Sequence, residues 1–189
     1  MNIPRRHFLL NELAKTCLEY DPKGRVLHSG QTSNYFVDVP RIFGSPGCAV
    51  ALMEQITNLL LSHEGRDVDA FISPDTGGTL VAVALQQYLA MKKGEFIPVC
   101  PYSKSGKIEG FPVSRGQGNY IILDDVISTG STILPLIDMI VKSSRKVIQV
   151  VTAVHRTEFN REAQVCLDKL SIPLASVFTM DEILAVSWR

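Results

Sequence analysis

Apolar residues along this chain follow two rhythms that alternate from residue 46 onward. Short unbroken apolar blocks suit strands buried on both faces, and the segments between them repeat every three or four residues, the period of an amphipathic helix. The pattern predicts a helix from Pro46 with Ala49, Met53, Ile56 and Leu60 on one stripe, then a strand at Ala70–Ile72. A helix with Val81, Ala84, Leu85 and Tyr88 on one face follows, then a second strand at Phe96–Cys100. After a glycine-, serine- and lysine-rich loop from Tyr102 to Gly118 comes a third strand, Tyr120–Leu123, and a helix carrying Ile133, Leu136, Ile137, Ile140 and Val141. A fourth strand at Val147–Val154, a helix near 159–170 and a fifth strand at Leu174–Phe178 complete the series.

The first 45 residues differ. A helix is predicted over about 5–20, with Phe8, Leu9, Glu12 and Leu13 on its partly apolar face, stopped by Asp21-Pro22-Lys23-Gly24. Arg25–His28 and Tyr35–Val39 then read as a hairpin joined by the polar run Ser29–Asn34. The expectation is a single α/β domain: a small N-terminal helix and hairpin hood over residues 1–45, and a core over 46–189. The core is a doubly wound, mainly parallel five-stranded sheet flanked by helices. Ligands of such sheets bind beyond the carboxyl ends of the strands, which directs attention to the exits at Ser73, Pro101 and Asp124.

Composition narrows the classes of function. Of 189 residues, 46% are hydrophobic and 20% charged, with 19 basic residues balancing 19 acidic ones. No global field recruits nucleic acid or an anionic membrane, so an anionic ligand must be held by local geometry. Cys17, Cys48, Cys100 and Cys166 form no CxxC pair and no zinc-like spacing with histidine, as expected of reduced thiols in a cytoplasmic protein. The longest apolar runs are strand-sized, and the N-terminus lacks the apolar core of a secretion signal, so a soluble protein is expected. Neither Gly-x-Gly-x-x-Gly nor Gly-Lys-Ser/Thr occurs, which argues against a generic nucleotide-binding fold.

The third exit carries the chemistry. In Tyr120-Ile-Ile-Leu-Asp-Asp-Val-Ile-Ser-Thr-Gly-Ser-Thr-Ile133 an apolar strand ends in Asp124 and Asp125, and a hydroxyl-rich turn then opens a helix. A helix N-terminus offers unpaired N–H groups and a positive dipole end, so Thr129, Gly130, Ser131 and Thr132 make a phosphate cradle. Carboxylates repel phosphate unless the ligand also presents sugar hydroxyls, whose hydrogen bonds a carboxylate accepts. An acidic helix cap accounts for one such Asp; it does not account for two acids followed by Ser-Thr-Gly-Ser-Thr.

This string closely resembles the ribose-5-phosphate signature of type I phosphoribosyltransferases, and further segments resemble the orotate phosphoribosyltransferase branch over most of the chain. The resemblance implies that phosphoribosyl pyrophosphate is bound by Asp124, Asp125, Val126, Ile127, Ser128, Thr129, Gly130, Ser131 and Thr132. It places Thr76, Gly77 and Gly78, within Ser73-Pro74-Asp75-Thr76-Gly77-Gly78, at the pyrophosphate loop. Tyr102–Gly118 matches the mobile catalytic loop, so Lys104 and Lys107 align with the lysines that close over the leaving group, often in a dimer partner's site. Cations there stabilise charge that grows in the transition state. Leu27–Phe36 is similar to the hairpin that lies against the base, implying base contacts from His28, Tyr35 and Phe36. Val154-His155-Arg156-Thr157-Glu158 resembles the strand end whose arginine receives the carboxylate of orotate, making Arg156 a bidentate receptor, with Ser128 also at the base.

The implied activity is transfer of ribose 5-phosphate from phosphoribosyl pyrophosphate to a nitrogenous base, orotate first, in pyrimidine synthesis. Mg²⁺ is the implied cofactor, held mostly by ligand oxygens and water and not by dedicated protein ligands. A cytoplasmic homodimer acting on small molecules, with no nucleic acid or membrane partner, completes the expectation. The sequence departs from the branch pattern at particular places: His28 stands for a lysine, Ser103 for an arginine, Glu109 for a histidine, Phe111-Pro112 for glycines and His155 for an aspartate. These changes leave the ribose-phosphate segment intact and thin the positive charge around the pyrophosphate. Transfer to another base, and a non-catalytic regulator that binds phosphoribosyl pyrophosphate, therefore stand as alternatives.

Overall fold

A computed structural model of the chain describes residues 3–27, 29–60, 68–102, 108–110, 118–159 and 162–187. The first helix, α1 (Ile3–Thr16), buries Leu9, Leu10 and Leu13 and leaves Phe8 exposed. It ends four residues before the expected stop. Strand β1 (Leu18–Val26) begins there and takes in Asp21-Pro22-Lys23-Gly24, pairing antiparallel with β2 (Thr32–Val37). The predicted stop is a break within a strand: the pairing register shifts between Tyr20 and Arg25, where Asp21 Oδ1 accepts the Lys23 N–H at 3.0 Å. Asn34 holds the break from the opposite strand, donating to the carbonyls of Asp21 and Pro22 at 3.0 and 3.2 Å. A short 3₁₀ turn at Val39–Gly44 leads to α2 (Pro46–Leu60).

The remaining elements alternate as the pattern predicts. They are β3 (Ala70–Pro74), α3 (Asp75–Lys93), β4 (Val99–Tyr102), β5 (Asn119–Ile127), α4 (Ile133–Lys142), β6 (Lys146–His155), α5 (Glu162–Lys169), β7 (Leu174–Thr179) and α6 (Met180–Ser187). The five core strands lie in the order β4-β3-β5-β6-β7, and every neighbouring pair is parallel. Side chains alternate across the sheet. Phe71, Ile121, Leu123, Val151, Ala153 and Val177 pack beneath α1, α2, α3 and α6, whereas Ala70, Ile72, Ile122, Val147 and Val150 pack beneath α4 and α5. The sheet is thus covered on both faces, as the unbroken apolar blocks require.

Three of these limits and one added helix depart from the hydrophobic pattern. β4 starts at Val99, not Phe96; Phe96 is 82% exposed, and the ladder opens where the Phe71 N–H reaches the Pro98 carbonyl at 2.8 Å. β5 does not stop at Leu123 but continues to Ile127, because β6 runs beside it and pairs Asp124 with Thr152 and Ile127 with His155. Both acids therefore sit in the strand. Helix α4 begins at Ile133, and Val141 at its far end is exposed instead of buried. The short helix α6 had no counterpart in the hydrophobic pattern. It is announced by a capping box, Thr179-x-x-Glu182, in which the Thr179 hydroxyl accepts the Glu182 N–H at 3.2 Å and Glu182 accepts the Thr179 N–H at 2.9 Å. Arg6 of α1 then ties the N-terminal helix to this end, donating to Glu182 at 2.7 Å and to the Val177 carbonyl at 2.8 Å.

Candidate active site

Three strand exits and the hairpin meet at one cleft of about 360 Å³. Its floor is the end of β5. Asp124 is only 6% exposed, and its carboxylate sits under the first turn of α3; Asp125 faces the same turn. The approach is so close that a Cβ on Gly77 would lie 2.3 Å from Asp125 Oδ2, and one on Gly78 would lie 2.9 Å from both Asp124 Oδ1 and the Leu123 carbonyl. Only glycine allows the helix start to rest on the acids. Burial pushes the Asp124 carboxyl well above the ordinary carboxylate range, and the neighbouring charge of Asp125 adds to it. Asp125 is raised as well, chiefly by burial. Two carboxylates that resist ionisation in a recess favour a ligand that donates hydrogen bonds or brings positive charge.

Beyond the acids the chain leaves the sheet through Ser128–Thr132. Gly130 takes φ +85°, a conformation L side chains rarely adopt, and its carbonyl accepts the N–H groups of Ile133 and Leu134 at 3.0 and 2.9 Å to open α4. A Cβ added at Gly130 would lie 3.4 Å from Ala163 of α5, so the turn is backed by a second helix. On the other side of the acids, β3 exits into α3. Thr79 locks that turn, donating to the Asp75 carbonyl at 2.7 Å and sharing a hydrogen bond with the Ser73 hydroxyl at 3.1 Å. Asp75, Thr76 and Gly77 line the cleft. The starts of two helices, α3 and α4, therefore flank one pair of acids, and a helix N-terminus favours anions.

The third corner is the end of β6. Arg156 is 2% exposed and lines the cleft opposite Phe36 and Val37 of the hairpin. Its guanidinium is already engaged along one edge. Glu158 Oε1 accepts from Nε at 2.8 Å and lies 2.7 Å from Nη2 as an ion pair, while Nη2 donates to the Ser33 hydroxyl at 2.8 Å and the Tyr35 carbonyl at 3.1 Å. The fork expected to be open for a ligand carboxylate is occupied on its Nε/Nη2 side, which leaves Nη1 without a protein partner among the described residues.

The structure gathers Phe36, Thr76, Gly77, Asp124, Asp125, Val126, Ile127, Ser128, Gly130, Ser131, Thr132 and Arg156 around the cleft. Other candidates stand elsewhere. Thr129 turns to a shallow groove against α5, with Leu134, Glu162 and Cys166. Gly78 packs on β5. Tyr35 contributes its backbone, while its ring lies against Tyr20, 5.2 Å between centroids. His28, Ser103, Lys104, Lys107 and Phe111-Pro112 lie outside the described residues. Glu109 is exposed in a turn whose N–H reaches the Pro101 carbonyl at 2.8 Å. Sequence reasoning missed Asp75, Leu27, Ser29 and Val37 as lining residues and Ser33 and Glu158 as partners of Arg156. Only the register of Ser33 and Glu158 beside residues already singled out could have signalled them.

Among the described residues no cluster of three or more His, Cys, Asp or Glu side chains is placed to hold a metal ion. The hard oxygen donors of Asp124 and Asp125 nevertheless suit a magnesium ion whose other positions come from ligand and water. All four cysteines are free thiols, three of them buried. No described helix is long and apolar enough to cross a membrane.

No family model matches the chain. It is similar to an orotate phosphoribosyltransferase from Methanopyrus kandleri, 30% identical over 162 residues that make up 84% of this chain and 81% of that one. Among solved structures it resembles orotate phosphoribosyltransferase from Aeropyrum pernix, with TM-score 0.73 and 26% identity over 94% of this chain and 97% of that chain. The adenine phosphoribosyltransferase of Leishmania tarentolae shares the fold at TM-score 0.71 but only 15% identity, covering 94% and 90%.

Proposed function

Because the chain belongs to the orotate phosphoribosyltransferase family, we propose that it transfers ribose 5-phosphate from phosphoribosyl pyrophosphate to orotate, giving orotidine 5'-monophosphate and pyrophosphate. One observation carries the reading: two buried acids lie between two helix starts, with an arginine across the same cleft. The 5-phosphate occupies the turn Ser128–Thr132, and the ribose diol donates to Asp124 and Asp125. The pyrophosphate lies against Thr76–Gly78, and the base enters between Phe36 and Arg156. A ring nitrogen of the base attacks the anomeric carbon and gives up its proton to solvent, while the bond from that carbon to pyrophosphate breaks and its electron pair leaves with the pyrophosphate.

As that bond breaks the sugar gains oxocarbenium character. The acid pair favours the developing positive charge from fixed positions, without reorganisation of solvent. Lys104 and Lys107 stabilise the departing pyrophosphate. Asp124 and Asp125 are the residues that would stand beside a magnesium ion, which would supply positive charge to the pyrophosphate. The free thiols and the small-molecule chemistry support a cytoplasmic location.

The deciding experiment measures pyrophosphate release with orotate, uracil, adenine and other bases in turn. Orotate supporting the fastest release is the expected result; release with an uncharged base alone would overturn orotate. A second reading, transfer to another base, is favoured by His28, Ser103 and Glu109, which stand where the family pattern has a lysine, an arginine and a histidine. Binding of phosphoribosyl pyrophosphate without release from any base would point to a regulator instead.

A further inference from the structure

A guanidinium carries five N–H donors in a fixed plane. In Arg156 the protein engages the Nε/Nη2 edge from two directions. Glu158 comes from just beyond β6, at 2.8 and 2.7 Å, and Ser33 and the Tyr35 carbonyl come from the hairpin, at 2.8 and 3.1 Å. Phe159 covers the guanidinium with its ring centroid 5.1 Å away, and the side chain is 3% exposed. The Ser33 hydroxyl is itself fixed, since it also accepts the Tyr35 N–H at 3.1 Å. Nη1 is the part of the guanidinium without a protein partner among the described residues, and Arg156 lines the cleft.

We infer that Glu158 and Ser33 are positioning residues for base recognition: together they turn Arg156 so that its Nη1 edge alone meets the base. The inference rests on the reading of orotate given above for the identity of the base, though not for the orientation of the arginine. An arginine free to rotate must be ordered each time a ligand binds; one already pinned loses little on binding. Ser33 lies 123 residues away in sequence, so the same contact latches the hairpin over the end of the sheet.

The test compares wild type with Ser33→Ala, Ser33→Thr and Glu158→Gln, none of which changes the phosphate turn or the acids. Ser33→Ala and Glu158→Gln should each raise KM for orotate about tenfold, the scale of one lost charge-assisted contact. KM for phosphoribosyl pyrophosphate and kcat should hold, and Ser33→Thr, which keeps the hydroxyl, should restore the wild-type value. A base-free readout accompanies the kinetics. Nitrogen-detected NMR should show distinct, slowly exchanging Nη signals for the locked Arg156, merging in Ser33→Ala and Glu158→Gln. If those signals are the same in every variant, or if both KM values rise together with a fall in melting temperature, the positioning role is overturned. A wild type inactive with orotate whose Arg156 signals still merge in the variants would support the positioning role and overturn only the choice of base.

Discussion

The two ends of the cleft are built by opposite strategies. At the exit of β5, Asp124, Asp125 and the turn to Thr132 lie within nine consecutive residues, so a single strand and turn deliver acids and anion site together. At the exit of β6, Arg156 means little alone; its partners Ser33 and Tyr35 come from 123 and 121 residues away. The β5 corner also holds negative groups driven toward neutrality by burial, whereas the β6 corner holds a cation balanced by Glu158. A corner that is local in sequence can be read from sequence, and its function resists change elsewhere. A corner assembled from distant segments can retune its ligand by small substitutions in any of them.

The sharpest way to break this contrast is to disable each corner separately. Asp125→Asn should lower kcat/KM by about 10²–10³-fold with every base, since it removes a carboxyl that accepts from the ribose diol and faces the developing cation. Stopped-flow or steady-state assays with several bases check it; a loss confined to orotate would show that the corners are not separate. Arg156→Ala should weaken orotate by roughly 2–5 kcal/mol, the range for truncating one member of a desolvated charge pair. It should leave phosphoribosyl pyrophosphate affinity unchanged. Calorimetry with the two ligands reads both numbers, and equal losses would mean that the hairpin latch, not base contact, dominates.

That asymmetry also explains what was legible in the sequence. The five parallel strands and the helices between them followed from the alternation of apolar blocks and helical spacing, and the ribose-phosphate segment from its own string of residues. The expected stop at Asp21–Gly24 failed because those residues break the register inside a paired strand, where Asn34 meets them from across the hairpin. The strand limit at Leu123 failed because pairing with β6, not local hydrophobicity, carries β5 through the acids to Ile127. The occupied edge of Arg156 was invisible for the same reason: nothing near residue 156 announces Ser33. Helix α6 was readable, through Thr179-x-x-Glu182, and hydrophobic spacing alone passed over it.

Within the β5 corner, adjacent glycines should separate function from stability. At Gly78 an added methyl meets the Leu123 carbonyl and the Asp124 Cα, at 2.9 and 3.2 Å, and backbone cannot move aside cheaply. Gly78→Ala should therefore destabilise the fold by about 1–3 kcal/mol, the usual cost of overpacking. At Gly77 the methyl meets only the end of the Asp125 side chain. That carboxylate can swing away, so Gly77→Ala should melt close to wild type and yet lose activity. Melting temperatures beside kcat decide it; a Gly77→Ala protein as active as wild type would show that the position of Asp125 is not critical.

The smallest effect expected is a pH dependence peculiar to the β5 corner. Asp124 has a folded-state pKa above its ordinary value, so between the two the folded protein holds more proton than the unfolded chain. Stability then falls as pH rises, starting near the unfolded carboxylate pKa of about 3.9 and levelling off once the raised folded value is passed. Asp124→Asn removes this dependence. Its stability relative to wild type should grow from about pH 4 upward and then reach a plateau, even though the variant is a poorer enzyme. Urea midpoints of the ligand-free proteins across this range give the difference curve, in which other titrating groups largely cancel. The comparison should stop short of the thiol range, because burial raises the pKa of Cys17 and Cys100 and adds its own decline at alkaline pH. A flat difference for Asp124→Asn would mean that the acids ionise freely in the empty cleft, and the contrast between a strained acid corner and a balanced cationic one would fall.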